Sequence, residues 1–221
     1  YATHPDFISL KNIIRKRQVF GMDFIFDELP NRLVPFDFDA FQKATETFII
    51  GATDCMTGEP VYFDKASYGK HVLALLRASS SLPFMAPMVE FEGKKLLDGG
   101  ISDPIPIKKS EADGNEKHVL ILTRNIGYRK KRPKFSWLVK KIYRDYEGIV
   151  RAILTRYQKY NEAISYIEKL EKENKVFVIR PRNPLQVSRV ERNKAKLNEL
   201  YEQGYKEAEA MYDRMIEYLN Q

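Results

Sequence analysis

One acid in this chain is placed as a general base would be. The stretch Leu96-Leu97-Asp98-Gly99-Gly100-Ile101-Ser102-Asp103-Pro104-Ile105-Pro106-Ile107 sets Asp98 at the end of an apolar run and follows it at once with two glycines. Lacking a Cβ, the Gly pair lets the backbone turn tightly and lets another segment or a substrate come close. A carboxylate held at such a turn can face a nucleophile and take its proton. Pro104 and Pro106 stiffen the exit and force extended backbone on the residues before them, so the loop is expected to hold one shape. Asp103 reads as a turn residue before Pro104. The structural alternative for Asp98 is a carboxylate that merely caps the Gly-Gly turn.

Other reactive side chains are dispersed. His4, His71 and His118 are scattered, and no metal-ligand spacing appears, so neither metal nor cofactor is expected. Cys55 is the single cysteine, which excludes an internal disulfide and fits a reducing compartment. Asp54 reads as a turn residue and Cys55 as a small core filler. The run Ser79-Ser80-Ser81 suggests a nucleophile at first sight. It has no flanking glycines, and the end of a helix is the better reading.

The elements that must position Asp98 follow from pattern. Thr47–Asp54 is strand-like, Met56-Thr57-Gly58-Glu59 supplies a turn and Pro60–Phe63 returns, with Gly51 marking a close backbone approach. A helix is expected from about Tyr68 to Ala78, with Val72, Leu75 and Leu76 on its apolar face and His71 structural. Glu90 to Leu97 forms a second short hairpin that delivers Asp98. His118–Thr123 and Lys175–Arg180 are continuous apolar runs, typical of strands buried on both faces. Between them Ile149, Ile153, Tyr157, Tyr160, Ile164 and Ile167 recur at helical spacing. A last helix places Leu197, Tyr201, Gly204, Ala208, Met211 and Met215 on one side. Nearer the start, a short helix is expected between Asp6 and Phe26. Phe24 to Phe41, broken by Pro30 and Pro35, supplies aromatic residues for the core or for an apolar channel. Strands alternating with helices indicate an α/β layered sheet covered by helices, in a single domain over residues 1–221.

With 221 residues, 43% of them hydrophobic, the chain is long enough for a real core, and a globular domain rather than disorder is expected. No run approaches the roughly 18 apolar residues of a membrane span. The net charge of +7 is clustered. Arg129-Lys130-Lys131-Arg132-Pro133-Lys134 runs into Phe135, Trp137, Leu138 and Val139, then Lys140 and Lys141. Such a segment suits an anionic lipid surface, with rings at the headgroups and lysines on phosphates. Its plainer reading is a solvated, partly helical excursion with Trp137 packed on the core. Nucleic acid is not expected as a partner, because no helix-turn-helix, zinc-ligand spacing or aromatic ribonucleoprotein pattern accompanies the charge.

The segment from Arg77 to Ile107, RASSSLPFMAPMVEFEGKKLLDGGISDPIPI, resembles the acid-bearing half of the patatin-like phospholipases in order, spacing and residue type. The resemblance continues in Leu185-Gln186-Val187-Ser188-Arg189, Lys196-Leu197 and Leu200-Tyr201-Glu202-Gln203-Gly204, which look like the C-terminal helix entry of bacterial members. It implies a patatin-like fold, Asp98 as catalytic aspartate with Gly99 and Gly100 as the active-site loop, and lipid acyl esters hydrolysed by a Ser-Asp dyad without a cofactor. The family's Gly-rich oxyanion loop and Gly-x-Ser-x-Gly elbow do not occur in these residues. The chain, starting at Tyr1, is therefore read as the C-terminal part of a longer hydrolase, inactive alone and incomplete on its N-terminal side. A sheet edge left open in that way would favour a homo-oligomer. The alternative function is a non-catalytic lipid- or protein-binding fragment. Localisation is expected to be cytoplasmic or peripheral to a membrane.

Overall fold

A computed structural model of the chain describes residues 4–8, 19–188 and 190–221. Most of the short helix expected between Asp6 and Phe26 lies outside the described residues, as does Arg189. The remainder is a mixed α/β protein whose contacts gather into two compact units.

The first unit takes the described residues up to Pro104 together with Arg132–Lys159. A π-helix at Phe24–Leu33 leads to α1 (Phe38–Lys43), the hairpin β1 (Ile49–Asp54) and β2 (Pro60–Asp64), and the single turn α2 (Lys65–Tyr68). A 3-10 turn at Gly69–His71 then enters α3 (Val72–Ser79), so the expected helix over 68–78 is broken near its start. The second hairpin follows, β3 (Val89–Phe91) and β4 (Lys94–Asp98). The four strands form one antiparallel sheet in the order β2-β1-β4-β3.

Adjacent residues of a strand face opposite sides of the sheet. Leu96 and Leu97 are both fully buried because both sides are covered. Leu96 joins Ile50, Ala52 and Phe63 of the sheet with Val72, Leu75 and Ala78 of α3. Leu97 joins Cys55, Ile101 and a second set of helices, α5 (Ser136–Ile142) and the first half of α6 (Glu147–Lys172), through Val139, Tyr143, Ile149 and Ala152. The two hairpins were legible from alternation and turn residues. The aromatic stretch is less buried than expected: Phe24 is in the core, while Phe36 is exposed and packs its ring against Phe38 and Phe41.

Val139 of α5 and Tyr143, the residue that caps its end, sit four apart and face the core. Trp137 is two residues before Val139, about 200° around the helix, and is 62% exposed. The expectation that it packs on the core is corrected by that angle.

The second unit takes Ile105–Lys131 and Tyr160–Gln221. It holds α4 (Ile107–Ala112), the parallel pair β5 (His118–Ile121) and β6 (Val176–Ile179), the second half of α6, α7 (Lys194–Glu209) and α8 (Tyr212–Asn220). Its core is Ile105, Ile107 and Leu122 packed with Tyr160, Ile164, Ile167 and Leu170 of α6 and with Val176 and Val178. Tyr218 of α8 donates its hydroxyl to the Lys175 carbonyl at 2.7 Å and accepts from the His118 amide at 3.1 Å.

Two expectations change in this unit. Ile121 is 77% exposed, so β5 is not buried on both faces; among the described residues only β6 pairs with it. The last helix is two helices broken after Glu209, and α7 has no buried residue, with Tyr201 and Gly204 exposed. The side that spacing assigns to Leu197, Tyr201 and Gly204 is therefore not a buried one.

Cys55 is fully buried, as a core filler should be. Burial, and after it the charge of Asp54, pushes its thiol up from 9.0 to about 12. Between those values the unfolded chain gives up the proton while the folded chain keeps it. Stability contributed by the neutral thiol is complete below pH 9 and is lost as pH rises toward 12. We expect Cys55 to resist a disulfide thiol reagent at pH 8 until denaturant is added, and urea midpoints to fall from pH 9 upward. Fast labelling of the folded protein would contradict the first.

Candidate active site

Asp98 is the last residue of β4, paired with Ala52 of β1. Its backbone is held from three sides. The Asp98 amide donates to the Ser81 carbonyl at 2.9 Å, just past the end of α3. Its carbonyl accepts from the Thr53 hydroxyl at 2.8 Å, and that hydroxyl lies 2.7 Å from the Ser102 hydroxyl. Thr53 and Ser102 are both buried, so each polar atom depends on the other.

Ser81 thus carries out the helix-end role that its sequence position suggested, and more. Its own hydroxyl donates to the Arg77 carbonyl at 2.8 Å, which closes α3 and leaves the Ser81 carbonyl to receive the strand.

Gly99 and Gly100 open a 3-10 turn, Gly99–Ile101. A Cβ on Gly99 would lie 2.3 Å from the Gly51 carbonyl oxygen and 2.6 Å from its carbon. The close approach expected at Gly51 is therefore real, but the residue that must be glycine for it is Gly99. A Cβ on Gly100 would instead stand 3.1 Å from Asp98 Oδ1.

The side chain of Asp98 is 18% exposed. No side-chain cap hydrogen bond from it to the turn it begins is seen among the described residues. Arg156 of α6 reaches it, with Nη2 3.9 Å from Oδ1, while Arg156 Nε donates to the Gly100 carbonyl at 2.6 Å. Sequence reasoning missed Arg156, although a signal was present. The buried apolar positions of α6 run 149, 152, 160, 164, 167 and 170, and Arg156 fills the gap between Ala152 and Tyr160 in that stripe. A cation on an otherwise apolar face requires a partner.

The other acids of the neighbourhood have separate tasks. Asp103 accepts the hydroxyl of Tyr62 from β2, so it ties the exit of the loop to the sheet. Asp54 is buried, with Oδ1 accepting from the Met56 amide at 2.8 Å and Oδ2 3.3 Å from Lys94 Nζ, and it shapes the β1–β2 turn. His71 packs edge-on against Phe91, and His118 Nδ1 lies 3.0 Å from the Ser110 hydroxyl. Among the described residues no group of three or more His, Cys, Asp or Glu gathers as a metal site would.

The basic segment divides. Arg129 pairs with Glu168 at 2.7 Å and Lys130 stands over the Tyr160 ring at 4.1 Å, so both are used within the second unit. On α5 and just before it, Arg132, Lys134, Phe135, Trp137, Lys140, Lys141 and Ile142 are exposed. Among the described residues no helix is long and apolar enough to cross a membrane.

The class is therefore a mixed α/β protein that presents one partly buried carboxylate at a strand end, on an Asp-Gly-Gly turn fixed by buried hydroxyls and a glycine contact. Residues 4–109 match the patatin-like phospholipase family. Residues 146–220 match a second family, described as a domain of unknown function, DUF6363. The uncharacterized protein YjjU of Escherichia coli strain K12 is 26% identical over 193 residues, covering 84% of this chain and 52% of its own length. The chain thus spans about half of that relative.

Gly99→Ala forces a Cβ into the Gly51 backbone and should cost about 1–3 kcal/mol. Thr53→Val leaves the Ser102 hydroxyl and the Asp98 carbonyl without their shared partner and should cost about 1–3 kcal/mol. Urea denaturation measures both, and a change within about 0.5 kcal/mol for either would show that the turn is not held as described.

Proposed function

We propose that the protein carrying this chain hydrolyses acyl esters of phospholipids or lysophospholipids by a Ser-Asp dyad. Asp98 is the general base, and the serine comes from residues outside these 221. The observation that supports the reading is the place of the Asp98 carboxylate: it stands partly buried at a strand end, before two glycines, within the family-matched region. Its backbone contacts to Ser81 and Thr53 set where it points.

The chemistry follows from that placement. As the serine oxygen bonds to the ester carbonyl carbon, Asp98 takes the hydroxyl proton. When the tetrahedral intermediate collapses, the C–O bond to the alcohol breaks and the alcohol leaves with that proton. Water then adds to the acyl-serine ester by the same route, with Asp98 again accepting a proton, and the fatty acid departs. Gly100 adds no Cβ beside the Asp98 carboxylate.

Labelling the full-length protein with a fluorophosphonate probe tests this. One serine outside these 221 residues should carry the adduct, and Asp98→Ala should reduce both labelling and ester turnover by about 10²- to 10⁴-fold. Turnover retained in Asp98→Ala would overturn the assignment.

A second reading rests on α5. Phe135 at 65%, Trp137 at 62% and Ile142 at 52% exposure stand beside exposed Lys140 and Lys141. Rings and lysines in this mixture suit an anionic bilayer surface, and the protein would then bind lipid whether or not it cleaves it. Sedimentation with phosphatidylserine vesicles should show binding that weakens more than about tenfold in a Lys140→Glu, Lys141→Glu double variant. Equal binding to neutral vesicles would argue against a charge-led contact.

A further inference from the structure

We infer that Arg156 is the positioning residue of Asp98, acting from α6 on both the carboxylate and the turn behind it. The inference rests on the reading of Asp98 as general base. Its own support is geometric. One face of the guanidinium edge, Nε, donates to the Gly100 carbonyl at 2.6 Å, and Nη2 stands 3.9 Å from Asp98 Oδ1. Two atoms of one rigid, planar group therefore engage two consecutive parts of the same turn.

The space around them has the same form. A Cβ built on Gly100 would come within 3.1 Å of Asp98 Oδ1 and 3.3 Å of Arg156 Nη2, so the glycine leaves open the gap between the charges. The Asp98 and Arg156 side chains are only 18% and 25% exposed, which limits screening of the pair by water. Arg156 itself is delivered by packing. Ile149 and Ala152, seven and four residues before it, are buried with Leu97 and Ile101 on either side of the Asp-Gly-Gly turn. The start of α6 is anchored to the β1–β2 turn by the Ile149 amide on the Cys55 carbonyl at 3.0 Å and by Arg151 on the Thr57 carbonyl at 2.8 Å.

A lysine in this place would keep the charge and lose the fork. An alanine would lose both, taking the guanidinium from beside the carboxylate and its Nε donor from the Gly100 carbonyl.

The test compares Asp98→Ala, Arg156→Ala and Arg156→Lys in the full-length protein with a p-nitrophenyl ester. Arg156→Ala should lower kcat at least tenfold with KM changed less than about twofold, because the carboxylate acts on the serine proton and not on ground-state binding. Added methylguanidinium should restore part of the lost kcat in Arg156→Ala and none in Asp98→Ala. If Arg156→Ala does not fold, Arg156→Lys should fold and show the same fall in kcat with KM held. Wild-type kcat in a folded Arg156 variant, or a fall without rescue in Arg156→Ala, overturns the inference. Turnover in Asp98→Ala would instead overturn the base reading, so the two failures are distinct.

Discussion

Backbone meets backbone where Gly99 passes the Gly51 carbonyl, and the geometry of the site depends on that contact. A side chain of any size at residue 99 would push the turn away from β1. The Thr53 hydroxyl would then no longer reach the Asp98 carbonyl, and the buried Ser102 hydroxyl would lose its companion. Buried polar groups are costly when unpaired, so these bonds and the glycine contact hold or fail together. The consequence is a carboxylate whose direction is set by atoms that cannot easily move.

Around that turn the sheet is closed on both sides. Leu96 and Leu97 carry β4 into two different apolar clusters, one with α3 and one with α5 and α6. The same two clusters bring the chemistry-bearing parts together: α3 ends at the Ser81 carbonyl that receives the Asp98 amide, and α6 brings the Arg156 guanidinium. The direction of the Asp98 side chain thus comes from hydrophobic packing acting through the short Ser81 and Thr53 bonds to its backbone.

The exposed aromatic and basic side chains of α5 are the other side of that packing. Val139 and Tyr143 are taken into the cluster beneath β4, and helical geometry then turns Trp137, Lys140 and Lys141 outward. Tyr143 also accepts from the Phe84 amide at 3.0 Å, in the loop that begins at the Ser81 carbonyl. The exposed aromatic and basic face of α5 and the Asp98 turn thus share a core and a loop.

Local sequence determined the two hairpins, the long helix α6, the serine-terminated α3 and the position of Asp98 before two glycines, because each is written within a few residues by alternation, spacing or turn chemistry. It also carried the resemblance to the patatin-like phospholipases, whose family model matches residues 4–109. Tertiary structure alone decided which glycine is indispensable, since that depends on Gly51 lying 48 positions earlier in an adjoining strand. It decided that Trp137 faces outward, that Ile121 is left uncovered and that Tyr201 lies off the core, because periodicity marks a face without saying what packs on it. And it decided the partner of Asp98. Arg156 is 58 residues away in sequence, and a cation within an apolar stripe signals a buried task without naming the acid it serves.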